Sequence, residues 1–464
     1  MPPQTATILF VVGIAGLFWL DRGGSARPSK ALWLPAIWVG INGSRSVSGW
    51  LGMSPPREIP GQLPETSPLD QVFAATLMLL GVLVLIRRRR DVTSLLKGSW
   101  PVVLYFSYAL VSELWSDFPG WGFKRWIRAL GDVIMVLVVV SDAQPTAALR
   151  RFFSRLGFVL LPLSVLFIRF YPDLGRGYSP WGNTVENTGV TTNKNSLGAL
   201  ALVLSLGTLW QVLRLIRDRN QPHRARRLLA QCTLLAFGIH LLFTAHSATS
   251  GASFTLGAGL MLAFALPFFR ARPAAAHALV LGLLLSGSLA VLLGAEAEAV
   301  KAMGRNPDLT GRTEIWRDLI PMVPNPLVGA GFETFWCGSR VKSAMGTIGG
   351  FAMTNEAHNG YIEVFLNLGL VGVGLIALIL VQGYGRAVRA FRRDRALGAL
   401  LAAYVVTAAT YNIGEAGFRM LCLPWFFLLL SVVTANRVIS LGETASGLGR
   451  GLADRPCGSQ VSST

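Results

Sequence analysis

The sequence predicts an all-α polytopic membrane protein, and three observations carry that expectation. Only 14% of its residues are charged against 52% hydrophobic, with a mean hydropathy of +0.50; a soluble chain would carry about a quarter charged residues. Apolar runs recur at lengths matching the roughly 17–25 residues that cross a bilayer as a helix. Basic clusters such as RRRR (87–90), RLIRDRNQPHRARR (214–227), RAR (270–272) and RAVRAFRRDR (386–395) separate those runs and fall on one side.

In chain order the runs give about 12–13 transmembrane helices. The first, 6–20, lacks a basic leader and is followed by Asp21-Arg22 rather than a small-residue cleavage site, so it reads as a retained helix. A short run over 29–43 comes next; removing both leaves every later orientation unchanged. Residues 69–86 end at RRRR, and 100–116 and 126–141 flank the polar stretch SDFPGWGFKR. Run 153–171 leads into a loop rich in Gly, Asn and Thr. Runs 196–213 and 228–245 flank a basic connection, as do 252–269 and 274–294. Runs 359–382, 396–412 and 418–435 complete the set. What remains is a long structured loop over 295–358 and a disordered tail over 436–464. With no repeat and no long linker, 1–464 reads as a single membrane domain.

A net charge of +18 would suggest nucleic acid in a soluble protein. Here the excess gathers in the connections of one side, which the positive-inside rule makes cytoplasmic. The charge is therefore a topology signal, and no nucleic-acid partner is expected. Cys232 and Cys422 fall in spans, Cys457 in the tail and only Cys337 in an outer loop, so no disulfide is expected.

The outer loops are longer and mixed in charge. Within the longest, DLTGRTEIWRDLIP reads as a short amphipathic helix, started by Asp308 or Thr310 and ended by Pro321. Arg312, Ile315, Trp316 and Leu319 share a face that could lie along the membrane surface. Cations are scarce on the outer side, so those present need a reason: Lys124, Arg125 and Arg128, then Arg176, then Lys194 beside Asn195, then Arg312, with Arg419 as a possible further member. Such a set suits an anion, and arginine forks match phosphate oxygens. Headgroup contact is the competing role for Lys124 and Arg128.

The segment TNEAHNGYIEVFLNLGLVGVG (354–374) places His358 at the mouth of an apolar run. A helix starting there puts Asn359, Glu363 and Asn367 on one stripe. Ionisable groups at membrane depth are costly and face the protein interior or a wet cavity. His358 is the one histidine in a strongly polar outer motif, and imidazole can take a proton from a hydroxyl nucleophile. Glu314 and Glu356 are rival bases. No HExxH, CxxC or Asp pair is present, so no metal site is expected.

Taken together, ELWSDFPGWGFKRWIRALGD, GVTTNKNSLGALALV, AHSATSGAS, GRTEIWRDLIPMVPNPLVGAGFETF and EAHNGYIEVFLNLGLVG, in that order over about 110–375, resemble the O-antigen ligase and O-antigen polymerase-like membrane proteins, including exopolysaccharide polymerases. The resemblance implies a fold similar to lipid-carrier-dependent (GT-C-like) glycosyltransferases, placed in the bacterial inner membrane with its active site facing the periplasm. It implies transfer of a glycan from undecaprenyl diphosphate to a glycan, lipid or protein acceptor, with no cofactor and with membrane lipids as surroundings. On this chain it makes His358 the activator of the acceptor, Arg312 the diphosphate ligand and Lys194 its assistant, with Glu356 beside them. Arg125, Arg128, Arg176, Asn195, Trp316, Asn359 and Glu363 are the expected substrate contacts. Family members often carry arginine where Lys194 stands, and lysine offers a point charge rather than a fork. The competing class is a flippase-like transporter, which would favour broken helices and binding residues at the membrane midplane.

Overall fold

The computed structural model describes residues 1–22, 28–53, 67–178, 184–268, 310–338 and 356–453, with isolated positions between 275 and 282; of 310–314 and 443–453 only the backbone is described. The helices are α1 (Pro3–Leu20), α2 (Trp33–Asn42), α3 (Pro68–Arg87), α4 (Arg89–Gly98), α5 (Trp100–Val111), α6 (Pro119–Val140), α7 (Pro145–Phe170), α8 (Lys194–Arg217), α9 (Arg224–Thr244), α10 (Ala248–Ala265), α11 (Thr310–Leu319), α12 (Gly360–Arg393), α13 (Arg395–Gly414) and α14 (Leu423–Ala453). One antiparallel hairpin, β1 (Arg176–Tyr178) with β2 (Val185–Asn187), pairs Gly177 with Glu186. Nine of these helices are long and apolar enough to cross a membrane. The protein is an all-α polytopic membrane protein.

Every expected span except 274–294 is occupied by a helix; that one lies almost wholly outside the described residues, as do 295–309 and 339–355 of the long loop. The pattern is legible because a backbone without water must satisfy its polar groups within each segment. The second span is unusual. The α-helical part of α2 has ten residues, about 15 Å, yet the chain around it runs end to end. Ser29 N bonds Asp142 at one end (3.0 Å), and Arg45 reaches the carbonyls of Leu174 and Thr191 at the other. Midway, Trp38 Nε1 donates to the buried carboxylate of Asp132 at 2.8 Å.

Three further features depart from the expected pattern. Residues 436–453, expected as part of a disordered tail, continue α14; 454–464 lie outside the described residues. RRRR opens an additional amphipathic helix, α4, instead of a plain connection. The apolar face of α11 is turned inward rather than along a membrane surface: Ile315 and Leu319 pack with Val323, Ala330, Phe335 and Leu366 in a small second core.

The largest departure is in α12. Gly369 has φ +63° and ψ −164°, which breaks the helix, in a region of backbone space open essentially to glycine alone. Four freed groups are taken up by the segment 326–331. Ala330 N donates to Leu366 O (3.1 Å) and Gly331 N to Asn367 O (2.8 Å), while Leu370 N and Val371 N donate to Pro326 O and Leu327 O (2.9 and 3.1 Å). A broken helix was the mark expected of a transporter. Here its exposed groups are spent on the protein's own backbone, not offered to a ligand.

The bundle has two chemically distinct ends. At the Arg-rich end, Arg88 meets Asp142 (3.6 Å), Arg227 meets Asp21 (3.5 Å) and Arg437 meets Asp91 (2.7 Å). At the opposite end the loops converge through Arg45, Arg125, Asn195, Trp316 and Arg419.

Candidate active site at the end opposite the arginine clusters

The HNG sequence explains its own local geometry. Asn359 caps α12, its Oδ1 accepting from Tyr361 N (3.0 Å) and Ile362 N (3.1 Å), while its Nδ2 donates to Ile413 O (3.0 Å). Gly360 is needed for close approach, since a Cβ there would lie 1.8 Å from Asn412 Oδ1. Tyr361 Oη then donates to Ala409 O at 2.9 Å. These contacts lock the start of α12 to the end of α13, and His358, at φ +49°, is presented from the joint.

The imidazole is flanked by carboxylates. His358 Nδ1 lies 3.2 Å from Glu356 Oε1 and 3.5 Å from Glu415 Oε2. Two acceptors at Nδ1 favour a proton there, which puts the ring's lone pair on Nε2. Each carboxylate is itself held. Asn195 Nδ2 donates to Glu415 Oε1 (3.0 Å), and Arg419 Nη1 donates to Glu356 Oε2 (3.3 Å).

The network continues away from the imidazole. Arg419 approaches Glu333 (3.9 Å), and Arg125 reaches the Glu333 side chain (3.7 Å) and backbone carbonyl (2.7 Å). Burial alone would lower the pKa of Arg419, but the carboxylates of Glu363, Glu333 and Glu356 outweigh it and hold the guanidinium above its usual value. Cys337, at the edge of this network, has its thiol raised by burial.

The expected polar stripe is present and turned inward. Glu363 is 2% exposed; its Oε1 accepts from Trp336 Nε1 (2.6 Å) and its Oε2 from Ala357 N (2.9 Å). Asn367 donates to Glu363 O and accepts from Phe335 N. Asn359 and Glu363, expected as substrate contacts, are thus bonded to the fold that carries His358.

The remaining candidates are distributed unevenly. Trp316 Nε1 donates to Ala357 O (2.8 Å), docking α11 one residue before His358. Arg312 lies one turn N-terminal to Trp316 on that helix, so its backbone position shares the face; its side chain, like that of Glu314, lies outside the described residues. Lys194 opens α8 next to Asn195, but its Nζ is paired with Glu186 of β2 at 2.9 Å. Arg128 follows Arg125 by one turn on α6 and has a buried Nε without a hydrogen-bond partner among the described residues. Arg176 is exposed and donates to Ile168 O. Glu415 and Glu333 were missed by sequence reasoning. The signal for Glu415 was available: YNIGEAGFRM puts a Glu and an Arg in a short connection where a turn needs neither.

Glu356, His358 and Glu415 have donor atoms within 4.8 Å of one another, making them a group among the described residues that could close on a metal ion. Both carboxylates already hold protein donors, and the Nδ1 distances are those of hydrogen bonds.

Fold and site together define a multi-pass membrane protein with an imidazole–carboxylate cluster at the end opposite its basic clusters. The O-Antigen ligase family model matches residues 233–378, a stretch containing Arg312, Trp316, Glu333, Glu356 and His358. The chain is also 26% identical over 337 residues to the exopolysaccharide production protein ExoQ of Rhizobium meliloti (strain 1021), covering 68% of this chain and 71% of that one. By both matches the chain is similar to the O-antigen ligase/polymerase-like membrane proteins, as the ordered motifs had implied. Asn195, Glu415, Arg419 and Arg125 come from outside the matched segment, brought to it by the tertiary fold.

Proposed function

We propose that the protein is a metal-independent glycosyltransferase that moves a glycan from undecaprenyl diphosphate to an acceptor hydroxyl on the periplasmic side of the bacterial inner membrane. The observation that carries the reading is the His358 imidazole, with its Nδ1 held by Glu356 and Glu415. Nε2 takes the acceptor proton as the hydroxyl oxygen bonds the anomeric carbon, and the bond from that carbon to the diphosphate oxygen breaks. The carboxylates favour the imidazolium that results, which is where preorganised charge assists most. Arg312, on the helix docked beside His358, takes the departing diphosphate. Lys194 and the positive end of α8 assist from the other flank. The donor bond supplies the driving force, so no nucleotide is consumed.

The periplasmic placement rests on the site lying opposite the arginine clusters, which the positive-inside rule assigns to the cytoplasm. A flippase-like transporter is the alternative, favoured by the break in α12 alone. The testing experiment is mass analysis of lipid-linked glycans in cells lacking the protein. Accumulated single repeat units identify a polymerase, and accumulated finished polymer on the carrier identifies a ligase. Unchanged carrier-linked glycans and acceptors would refute the transferase reading.

A further inference from the structure

The Arg-rich end contains a cavity that the glycan site does not use. α4, α12 and α14 line a partly open cavity of about 250 Å³ between Ser94, Leu95, Arg386, Asn436 and Ile439, with Arg389 exposed at its mouth. Its floor is organised. Arg386 Nη1 bonds Asn436 Oδ1, and Asn436 Nδ2 donates to Ser99 Oγ at 2.6 Å. Gly98 makes this possible, because a Cβ there would come within 3.3 Å of both Arg386 Nη1 and Asn436 Cβ. Arg386 Nε is buried and has no hydrogen-bond partner among the described residues.

Among the described residues, charge is uncompensated in this cavity and balanced next to it. Arg437, one residue from Asn436, is matched by Asp91 at 2.7 Å. Neither Arg386 nor Arg389 has a carboxylate partner among the described residues, although they stand one turn apart on the same helix, where like charges repel. An anion with several acceptor oxygens would answer both guanidinium groups, and phosphate fits their planar forks best.

The walls say which kind of phosphate. Leu95 and Ile439 make part of the lining apolar. The lining residues of α12 and α14 lie in the last turns of two helices long and apolar enough to cross a membrane, Gly360–Phe391 and Leu423–Gly442, so lipid chains run alongside the cavity. The volume is below the roughly 300 Å³ at which sites for drug-sized ligands begin, which suits a headgroup whose chains remain outside. Basic pockets between membrane helices bind anionic headgroups in this manner. We propose that this cavity is a binding site for the phosphate headgroup of an anionic phospholipid, in the leaflet that meets the arginine clusters.

The test uses the full-length protein in mixed micelles, with binding of phosphatidylglycerol, phosphatidylcholine and inorganic phosphate measured separately. Removing one charge-assisted pair predicts a roughly tenfold loss of phosphatidylglycerol affinity in Arg389→Gln. Arg392→Gln, which removes an exposed charge outside the lining, should change affinity less than about twofold. Arg386→Gln should lose at least as much as Arg389→Gln, but it also removes the contact to Asn436, so Arg389→Gln is the deciding variant. Equal losses in Arg389→Gln and Arg392→Gln would show diffuse surface attraction and overturn the site. Phosphatidylcholine binding as tightly as phosphatidylglycerol would overturn the anionic selectivity, and inorganic phosphate binding as tightly would overturn the lipid assignment.

Discussion

Gly369→Ala tests whether the break in α12 holds the site together. The alanine Cβ would sit 2.3 Å from both the carbonyl carbon and the oxygen of Leu327, backbone atoms that cannot swing aside, and φ is +63°. Residence in this glycine-only region costs about 1–3 kcal/mol. Relief by straightening α12 would expel segment 326–331 and give up four backbone hydrogen bonds, each contributing about 0.5–1.5 kcal/mol net. The first route predicts a loss of about 1–3 kcal/mol before the clash with Leu327 is counted, and the second a loss of about 2–6 kcal/mol. The same segment leads to Glu333, the residue that joins Arg125 to Arg419, so transfer should fall as well. The assay is thermal unfolding in detergent beside glycan transfer in reconstituted vesicles. Gly374→Ala is the control on the same helix, since nothing lies within 4 Å of the Cβ that alanine would add there, and it should be neutral or slightly stabilising. Equal melting temperatures for Gly369→Ala and Gly374→Ala would refute the reasoning.

His358→Ala should lower transfer by about 10²–10⁴-fold while abundance and donor binding persist; a wild-type rate in reconstituted protein removes its role as base. Glu415→Gln keeps a hydrogen-bond acceptor near Nδ1 but removes the charge that favours the imidazolium. The rate should fall, and the acidic limb of the pH profile, where His358 takes up a proton and stops acting as a base, should move to lower pH with KM little changed. An unmoved pH profile would leave Glu415 a purely structural residue. Arg312→Ala should weaken lipid-diphosphate binding by about tenfold or more, as expected for a charged contact, and unchanged donor affinity would contradict the assignment. Burial pushes the Cys422 thiol up to about 12 and raises Cys337 too, so both should resist thiolate-directed alkylation at about pH 8 until the protein is denatured; ready labelling of the partly exposed Cys422 in the folded protein would refute its raised pKa.

The helices were legible because a membrane segment must bond its own backbone, so length and apolarity decide locally what forms. The same local logic marked the HNGY start of α12: an Asn cap, a Gly at a close approach and a His at the mouth can all be read within a few residues. The arginine clusters at one end were equally visible, because charge near a helix end acts where it stands.

Partner choice was not visible. Glu363 was expected to face either the protein interior or a wet cavity and to touch substrate; it faces the interior, with its oxygens taken by Trp336 and Ala357. Lys194 looked like a free cation and is paired with Glu186. Gly369 sits in a glycine-rich run with Gly372 and Gly374, and nothing in that run marks it as the break; only the tertiary structure, with the Leu327 backbone close against it, does. Glu415 and Asn195, far apart in the chain, meet only when α13 and α8 pack at the same end. Composition and spacing thus determined which segments cross the membrane and which residue types gather at each end. Which carboxylate steadies the imidazole and which merely ties loops together was decided by packing, because a polar side chain buried away from water takes whatever partner the tertiary fold brings within hydrogen-bond distance.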